Sequence, residues 1–385
     1  MTPGARIQAA IECLDAIAGG AAAEQVLTGW ARRSRFAGSK DRAAVRDHVF
    51  GVLRRWRSCA ALGGGETGRA LMLGALRQDD KPPEPLFSGQ GHAPAPLTPE
   101  ELASGRPPAE GAEALDMPDW LWPRLGDDAA QTAAALRHRA GVHLRVNLIK
   151  ADVDWAIESL KHSGITAVSH PASPTALEVV EGARALRNAP AYADGLVELQ
   201  DAASQAVVDR LNLHAGMRVL DLCAGGGGKT LAIAARCPEA QVFAHDIAPQ
   251  RLNDLQPRAE RAGAHVSVIA TDKLAAAAPF DLVLCDVPCS GSGSWRRAPE
   301  GKWRLDAAAL DRLRTTQADI LRQAMNFTTE GGTVAYATCS VLAEENSLLV
   351  QSVLSEALDW SMVDQAHWPV TQGTDGFYTA HLCRA

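Results

Sequence analysis

The sequence predicts an α/β fold: a doubly wound parallel sheet in the C-terminal half, a small α+β module before it, and an all-helical N-terminal region. Three observations carry this expectation. From Gly216 onward, short apolar segments alternate with helical ones, which is the pattern of a parallel sheet covered on both faces. The first of those segments runs straight into Gly225-Gly226-Gly227-Gly228, a tight passage from strand to helix. Residues 1–80 instead place apolar side chains at helical spacing.

In chain order, Arg6 to Ile17 and Ala43 to Leu62 read as helices, the second on Val45, Val49, Val52 and Leu53, with Ser39 ahead of Asp41–Arg42 as a start signal. Lys81 to Pro108 is rich in Pro and Gly and poor in large apolar residues, so it reads as a loop, linker or lid. Helical patterning returns at Pro118–Leu125 and Asp128–Arg137. His143–Asn147 then reads as a strand, Asp152–Ser163 as a helix, and Ala167–His170 and Leu177–Val180 as strands. The sheet proper is expected at Arg218–Leu222, Gln241–Asp246, Val266–Ala270, Phe280–Asp286 and Gly332–Ala337. Its helices are expected at Lys229–Ala235, Pro249–Ala262, Ala307–Phe327 and Glu344–Ala357. The expected division is therefore 1–80 helical, 81–116 linker, 117–140 helical connector, 141–195 small α+β module and 196–385 the doubly wound domain.

Composition narrows the class. A chain of 385 residues suits two or three domains, and 46% hydrophobic with 22% charged residues suits a globular one. No apolar run approaches the roughly 20 residues that span a bilayer, and no basic stretch precedes an apolar block at the N-terminus. A cytoplasmic, membrane-free protein is expected. The eight cysteines form no CxxC pair and no zinc-type spacing, so reduced thiols and no metal are expected. The net charge of -7 argues against indiscriminate nucleic-acid binding. Residues 1–60, however, hold ten Lys and Arg against five Asp and Glu, a basic module that suits RNA contact through one face or a solvated helical surface.

The glycine-rich turn spans Cys223-Ala224-Gly225-Gly226-Gly227-Gly228-Lys229-Thr230. Glycines allow close backbone approach to a ligand, and the helix that follows offers free N–H groups. A phosphate-binding loop would need Gly where Cys223 stands, so that reading fails at a fixed position. Asp246 ends the second strand and Asp272 the third. Ligands of doubly wound sheets sit beyond the carboxyl ends of the strands, and an acid about 20 residues after the loop suits a ribose diol. The combination favours an adenosine-type ligand.

Two cysteines occupy polar, glycine-containing exits of neighbouring strands. Strand four continues Asp286-Val287-Pro288-Cys289-Ser290-Gly291, and strand five ends Thr338-Cys339-Ser340. A buried cysteine is ordinarily a core residue. Two beside one ligand loop suit thiolate chemistry, provided the surroundings lower a thiol pKa.

These residues resemble the Sun/Nop family of RNA cytosine-5 methyltransferases, specifically its bacterial ribosomal, RsmB-like branch. The likeness extends to Gln200-Asp201 with Ser204-Gln205, Arg145-Val146-Asn147, Ser292-Gly293, Arg296-Arg297 with Lys302-Trp303, Glu344-Glu345-Asn346 and Asp375-Gly376-Phe377. Gly38-Ser39-Lys40-Asp41-Arg42 and Val49 to Arg54 resemble the helical NusB-like RNA-binding domain of that branch. The resemblance implies a Rossmann-like methyltransferase core, S-adenosylmethionine as cofactor and RNA, specifically 16S ribosomal RNA, as substrate. It implies Cys339 as nucleophile, Cys289 as the group that assists product release, and a cofactor site made of Cys223 to Lys229, Asp246, Asp272 and Asp286. The chemistry fits: a thiolate adding to carbon 6 of cytosine makes carbon 5 nucleophilic, and an acid such as Asp286 can stabilise charge at the ring nitrogen and amino group. The family usually has Pro where Gly226 stands, so a looser cofactor loop is expected here. A monomer is expected. A DNA-type enzyme would use Cys289 as nucleophile, and a non-catalytic assembly factor would not need intact Cys339, Cys289, Lys229 and Asp286.

Overall fold

Thr2 starts the first helix, Pro3–Ala18: its hydroxyl accepts from the Ala5 amide, and Pro3 occupies a first-turn position where no backbone N–H is required. The computed structural model describes residues 1–371 and 373–384. The described chain forms two units, Met1–Arg139 together with Trp295–Arg304, and Ala140–Ser294 together with the remainder from Leu305.

The first unit is helical, with helices Pro3–Ala18, Ala23–Arg33, Ser39–Arg54, Trp56–Gly63 and Gly68–Gln78. Ile7, Leu14, Val45, Val49, Leu53, Leu71 and Met72 meet in its core. Trp56–Gly63 and Gly68–Gln78 approach so closely that a Cβ at Gly74 would lie 1.8 Å from the Cys59 carbonyl oxygen, which restricts that position to glycine.

Two expectations change here. Ala43–Leu62 is not one helix, because the backbone breaks at Arg55. The hydrogen bond that would join the Arg54 carbonyl to the Ser58 amide is replaced from afar: Lys302 Nζ donates to the Arg54 carbonyl at 3.0 Å, and Ser58 N donates to the Asp116 carboxylate at 2.8 Å. Trp303 Nε1 likewise donates to the Leu53 carbonyl at 2.7 Å. Residues 81–116, read as a linker, instead belong to this unit. Phe87 is buried in its core, and Pro99–Ala103 forms a short helix whose Glu101 pairs with Arg69.

The second unit holds two sheets. In the first, β1 (Val142–Val146), β2 (Thr166–Ser169), β3 (Ala176–Glu181) and β4 (Val197–Leu199) are antiparallel in the order β2-β3-β1-β4, with helix Val153–His162 capped by Asp152. The second sheet comprises β5 (Arg218–Asp221), β6 (Gln241–Ala244), β7 (Ser267–Val268), β8 (Phe280–Asp286), β9 (Thr328–Thr338), β10 (Trp360–Trp368) and β11 (Phe377–Arg384), ordered β10-β11-β9-β8-β5-β6-β7. Strands β5 to β9 pair in parallel, and β10 and β11 add antiparallel at one side. Asp221 pairs in register with Leu284, and Asp286 with Ala337, so the carboxyl ends of β5, β8 and β9 open onto one region. Helix Ala307–Phe327 packs Leu321, Ala324 and Met325 into the core beneath it.

Candidate active site

The chain leaves β5 at Asp221, which is buried and accepts a 2.6 Å hydrogen bond from the Thr230 hydroxyl. Burial pushes the Asp221 pKa up to about 7. The loop that follows turns through Gly225 and Gly227, both at positive φ. A Cβ at Gly227 would stand 2.2 Å from Leu255 Cδ1, so only glycine fits. The backbone beyond leads into helix Gly228–Arg236.

Asp246, just past β6, is buried and fixes this loop. Its carboxylate accepts from the Gly225 and Ala248 amides, both at 2.9 Å, and lies 3.1 Å from Arg251. Arg258 donates to the Gly226 carbonyl while also pairing with Glu198. The Gly226 segment, expected to be loose for want of proline, is therefore held by a guanidinium.

Lys229 and Asp286 form an ion pair at 2.6 Å. Burial disfavours the Lys229 ammonium, but the Asp286 carboxylate overrides it and raises the pKa above the usual lysine value. The ammonium also sits 5.2 Å from the centre of the Phe377 ring. Next to this pair the two cysteines converge, with Cys289 Sγ 3.4 Å from Cys339 Sγ. The hydrogen bond between the two sulfurs draws the Cys339 pKa below the ordinary thiol value; Lys229 and the Ser294 hydroxyl act in the same direction, against burial and Asp286. The same contact, with burial, raises the Cys289 pKa. These opposed shifts favour Cys339 over Cys289 as the more acidic thiol of the pair.

One buried carboxylate holds both cysteine-bearing exits. Glu345 accepts from the Ser290 amide at 2.8 Å and from Gln317 Nε2 at 2.9 Å, and its second oxygen accepts from the hydroxyls of Ser290 and Ser340. Ser290 follows Cys289 and Ser340 follows Cys339, so Glu345 ties the two loops to each other. Asn346 continues the clamp, accepting from the Thr338 hydroxyl and donating to the Ser340 carbonyl at 3.0 Å. Glu345 carries no signal in composition or periodicity; only its motif with Glu344 and Asn346 marked it.

These groups line one cleft of about 790 Å³. Cys223, Ala224, Gly225, Gly226, Gly228, Lys229, Asp246, Asp286, Cys289 and Cys339 all face it. Two expected residues do not. Gly227 is turned against Leu255. Asp272 is 72% exposed and lies 3.7 Å from Lys273, because β7 stops after two residues and the chain turns outward. In its place Thr271 lines the cleft, held by His245 at 3.0 Å. The long helix Ala307–Phe327 adds Thr316, Ile320 and Gln323, which the sequence reading missed. Gln200 lines the cleft too, held by Arg145, which donates to Gln200 and to the Gly228 carbonyl, each at 2.6 Å.

Among the described residues, no His, Cys, Asp or Glu group is arranged to hold a metal ion, and no helix is long and apolar enough to cross a membrane.

Residues 208–383 match the family described as 16S rRNA methyltransferase RsmB/F. Residues 117–185 match the ferredoxin-like domain of RsmF/B-like methyltransferases. A ribosomal RNA small subunit methyltransferase B of Klebsiella pneumoniae is 34% identical in an alignment of 284 residues that covers 69% of this chain and 66% of that protein. The match therefore spans slightly less than two thirds of that relative's length. Among solved structures, PH0851 is similar at a TM-score of 0.79 and 22% identity, covering 100% of this chain and 99% of that one. The structure of NSun6 from Pyrococcus horikoshii with SFG is similar at a TM-score of 0.62 and 17% identity, over 69% of this chain and 97% of that one. At these identities the structural likeness speaks to the fold.

Proposed function

Because the chain belongs to the RsmB/F methyltransferase family, we propose that it transfers the methyl group of S-adenosylmethionine to carbon 5 of a cytosine in RNA, through a covalent cysteinyl–cytosine adduct. The observation that carries this reading is the 3.4 Å approach of Cys289 and Cys339 beside the Lys229–Asp286 pair. A single nucleophile would need one thiol; addition followed by proton removal needs a nucleophile and a second acid–base group.

The cleft fits the cofactor. Gly225, Gly226 and Gly228 line the cleft with backbone alone, Asp246 offers a carboxylate to a ribose diol, and exposed Ile247 offers an apolar surface to a base. The bound cofactor supplies an electrophilic methyl on a sulfonium.

The protein's own groups do the rest. The Cys339 thiolate forms a bond to carbon 6, and the ring electrons move to carbon 5, which takes the methyl group. Asp286, half-exposed beside Lys229, faces the charge that develops on the pyrimidine. Once Cys339 is consumed in the adduct, Cys289 gives up its thiol proton to solvent and, as thiolate, takes the carbon 5 proton; the electrons of that C–H bond re-form the ring double bond, the bond from carbon 6 to sulfur breaks, and Cys339 leaves as thiolate. The RNA substrate, specifically small-subunit ribosomal RNA, is the reading supported by the family match and by the basic helical unit.

Transfer of labelled methyl groups to total RNA and to DNA, by wild type and Cys339→Ala, tests it. Label in RNA with wild type alone is expected. Label in DNA, or transfer persisting in Cys339→Ala, would overturn the reading.

A further inference from the structure

We propose that the pocket in the helical unit lined by Arg54, Arg55, Arg137 and Arg139 binds a phosphate group of the RNA backbone; this rests on RNA being the substrate. The pocket measures about 460 Å³ and gathers four guanidinium groups.

Their charges do not balance. Arg55 pairs with Asp79 at 2.7 Å, Arg139 with Asp47 at 3.2 Å, and Arg137 with Asp116 at 2.8 Å. Asp116 is also engaged by the Ser58 amide and hydroxyl. Arg54 pairs with no carboxylate among the described residues. Its Nε donates to the Arg296 carbonyl at 2.7 Å, a neutral acceptor, and its guanidinium lies 5.8 Å from the Phe50 ring centre. Arg46 lies over the same ring at 4.6 Å. Arg54 is thus a half-buried cation beside Arg139, Arg55 and Arg46, with Asp47 opposing them. Burial, and then the nearby Arg139, push its pKa down to about 10.

An arriving anion relieves that imbalance. Phosphate suits the lining because guanidinium forks match its oxygens in pairs. Arg139 stands at the open side, 72% exposed, and can exchange its 3.2 Å contact with Asp47 for a phosphate oxygen. The surrounding 1–60 segment carries the basic excess that draws a polyanion toward this face.

The test uses the full chain and RNA in a salt series, with Arg54→Gln and Arg139→Gln. Each lost phosphate contact is expected to flatten the log–log salt slope by roughly 0.7 to 0.9, with cofactor affinity unchanged. Inorganic pyrophosphate is expected to raise the melting temperature of wild type and not of Arg54→Gln. Should Arg54→Gln fold poorly, exposed Arg139→Gln carries the slope measurement. Unchanged slopes in the variants, with wild type still binding RNA, would overturn the pocket and leave the RNA reading standing. Wild type that binds no RNA would overturn both.

Discussion

Cys289 Sγ and Cys339 Sγ share a hydrogen bond across 3.4 Å, and that contact lowers the pKa of Cys339 while raising that of Cys289. A thiol donor stabilises the anionic acceptor and loses acidity itself. The pair is therefore asymmetric before any substrate arrives.

The first prediction follows from that asymmetry. The thiolate is the reactive form, so alkylation of Cys339 by iodoacetamide falls as pH drops through its lowered pKa. Cys289→Ala removes the largest stabilising contact on the thiolate. The alkylation profile of Cys339 should move to higher pH in that variant. A profile that stays in place, or moves to lower pH, would show that Cys289 does not set the nucleophile.

Asp246→Ala should weaken S-adenosylmethionine binding by one to two orders of magnitude, as expected for loss of charge-assisted hydrogen bonds worth roughly 1.5–3 kcal/mol. Some of this is loop order, since Asp246 also holds the Gly225 and Ala248 amides. Calorimetric titration of wild type, Asp246→Asn and Asp246→Ala separates the parts: Asn retains an amide acceptor but not the charge. Equal affinity in all three would place the ribose contact elsewhere.

Glu345→Ala should cost both stability and rate. It removes the carboxylate that accepts from the Ser290 amide, two hydroxyls and Gln317 Nε2, although Gln317 keeps the Pro288 carbonyl and the Ser340 hydroxyl keeps Ser292, both at 2.9 Å. Each unsatisfied buried group costs about 1–3 kcal/mol. Glu345→Gln keeps one carbonyl oxygen and should recover much of the stability, which denaturant melts would show. Its turnover should stay reduced while the cofactor dissociation constant does not change, because the clamp spaces the cysteines and Glu345 itself does not line the cleft. A Gln variant with wild-type turnover would reduce Glu345 to a packing role.

The strand-end cysteines, the glycine loop and Asp246 were legible in the sequence because strand-to-loop transitions carry local signatures. The break at Arg55 was not. Its causes are Asp116, Lys302 and Trp303, which are remote in sequence, and Val45 to Leu62 keeps helical spacing through it. Strands β10 and β11 were missed for a similar reason. Buried β11 carries Thr379 and His381, and Thr379 is satisfied by the Tyr336 carbonyl at 2.9 Å, a partner no pattern announces. Asp272 was misplaced because the third strand was read as five residues and has two.

Lys302 yields a prediction about stability and pH. Burial pushes its pKa down to about 7, against about 10.4 for an unperturbed lysine. Between those values the unfolded chain binds a proton that the native chain lacks, so this group makes stability rise with pH across that window, and its full penalty applies below about 7. Lys302→Met removes the dependence but also the donor to the Arg54 carbonyl. Relative to wild type, the variant's melting temperature should therefore be most favourable near pH 6 and decline toward pH 9. A constant difference between the two proteins over that range would show that Lys302 keeps its charge in the native state.

The last prediction separates the two cysteines by the state in which each variant stops. In Cys289→Ala the Cys339 thiolate remains, with Lys229 and Ser294 still beside it, so addition to carbon 6 and methyl transfer proceed. The carbon 5 proton then has no acceptor, and Cys339 is not expelled. General acid–base groups contribute typically 10²–10⁴-fold, so release becomes slow relative to attack and the adduct accumulates. It should survive a denaturing gel, disappear from the shifted band on RNase treatment, and carry the transferred methyl label. Cys289→Ala/Cys339→Ala should form none, because the bond to carbon 6 has no donor. Reversed roles would give the opposite gel: Cys339→Ala would trap RNA, and Cys289→Ala would be inert. The contact between the two sulfurs favours the first outcome, since it lowers the pKa of Cys339 and raises that of Cys289, making Cys339 the readier nucleophile.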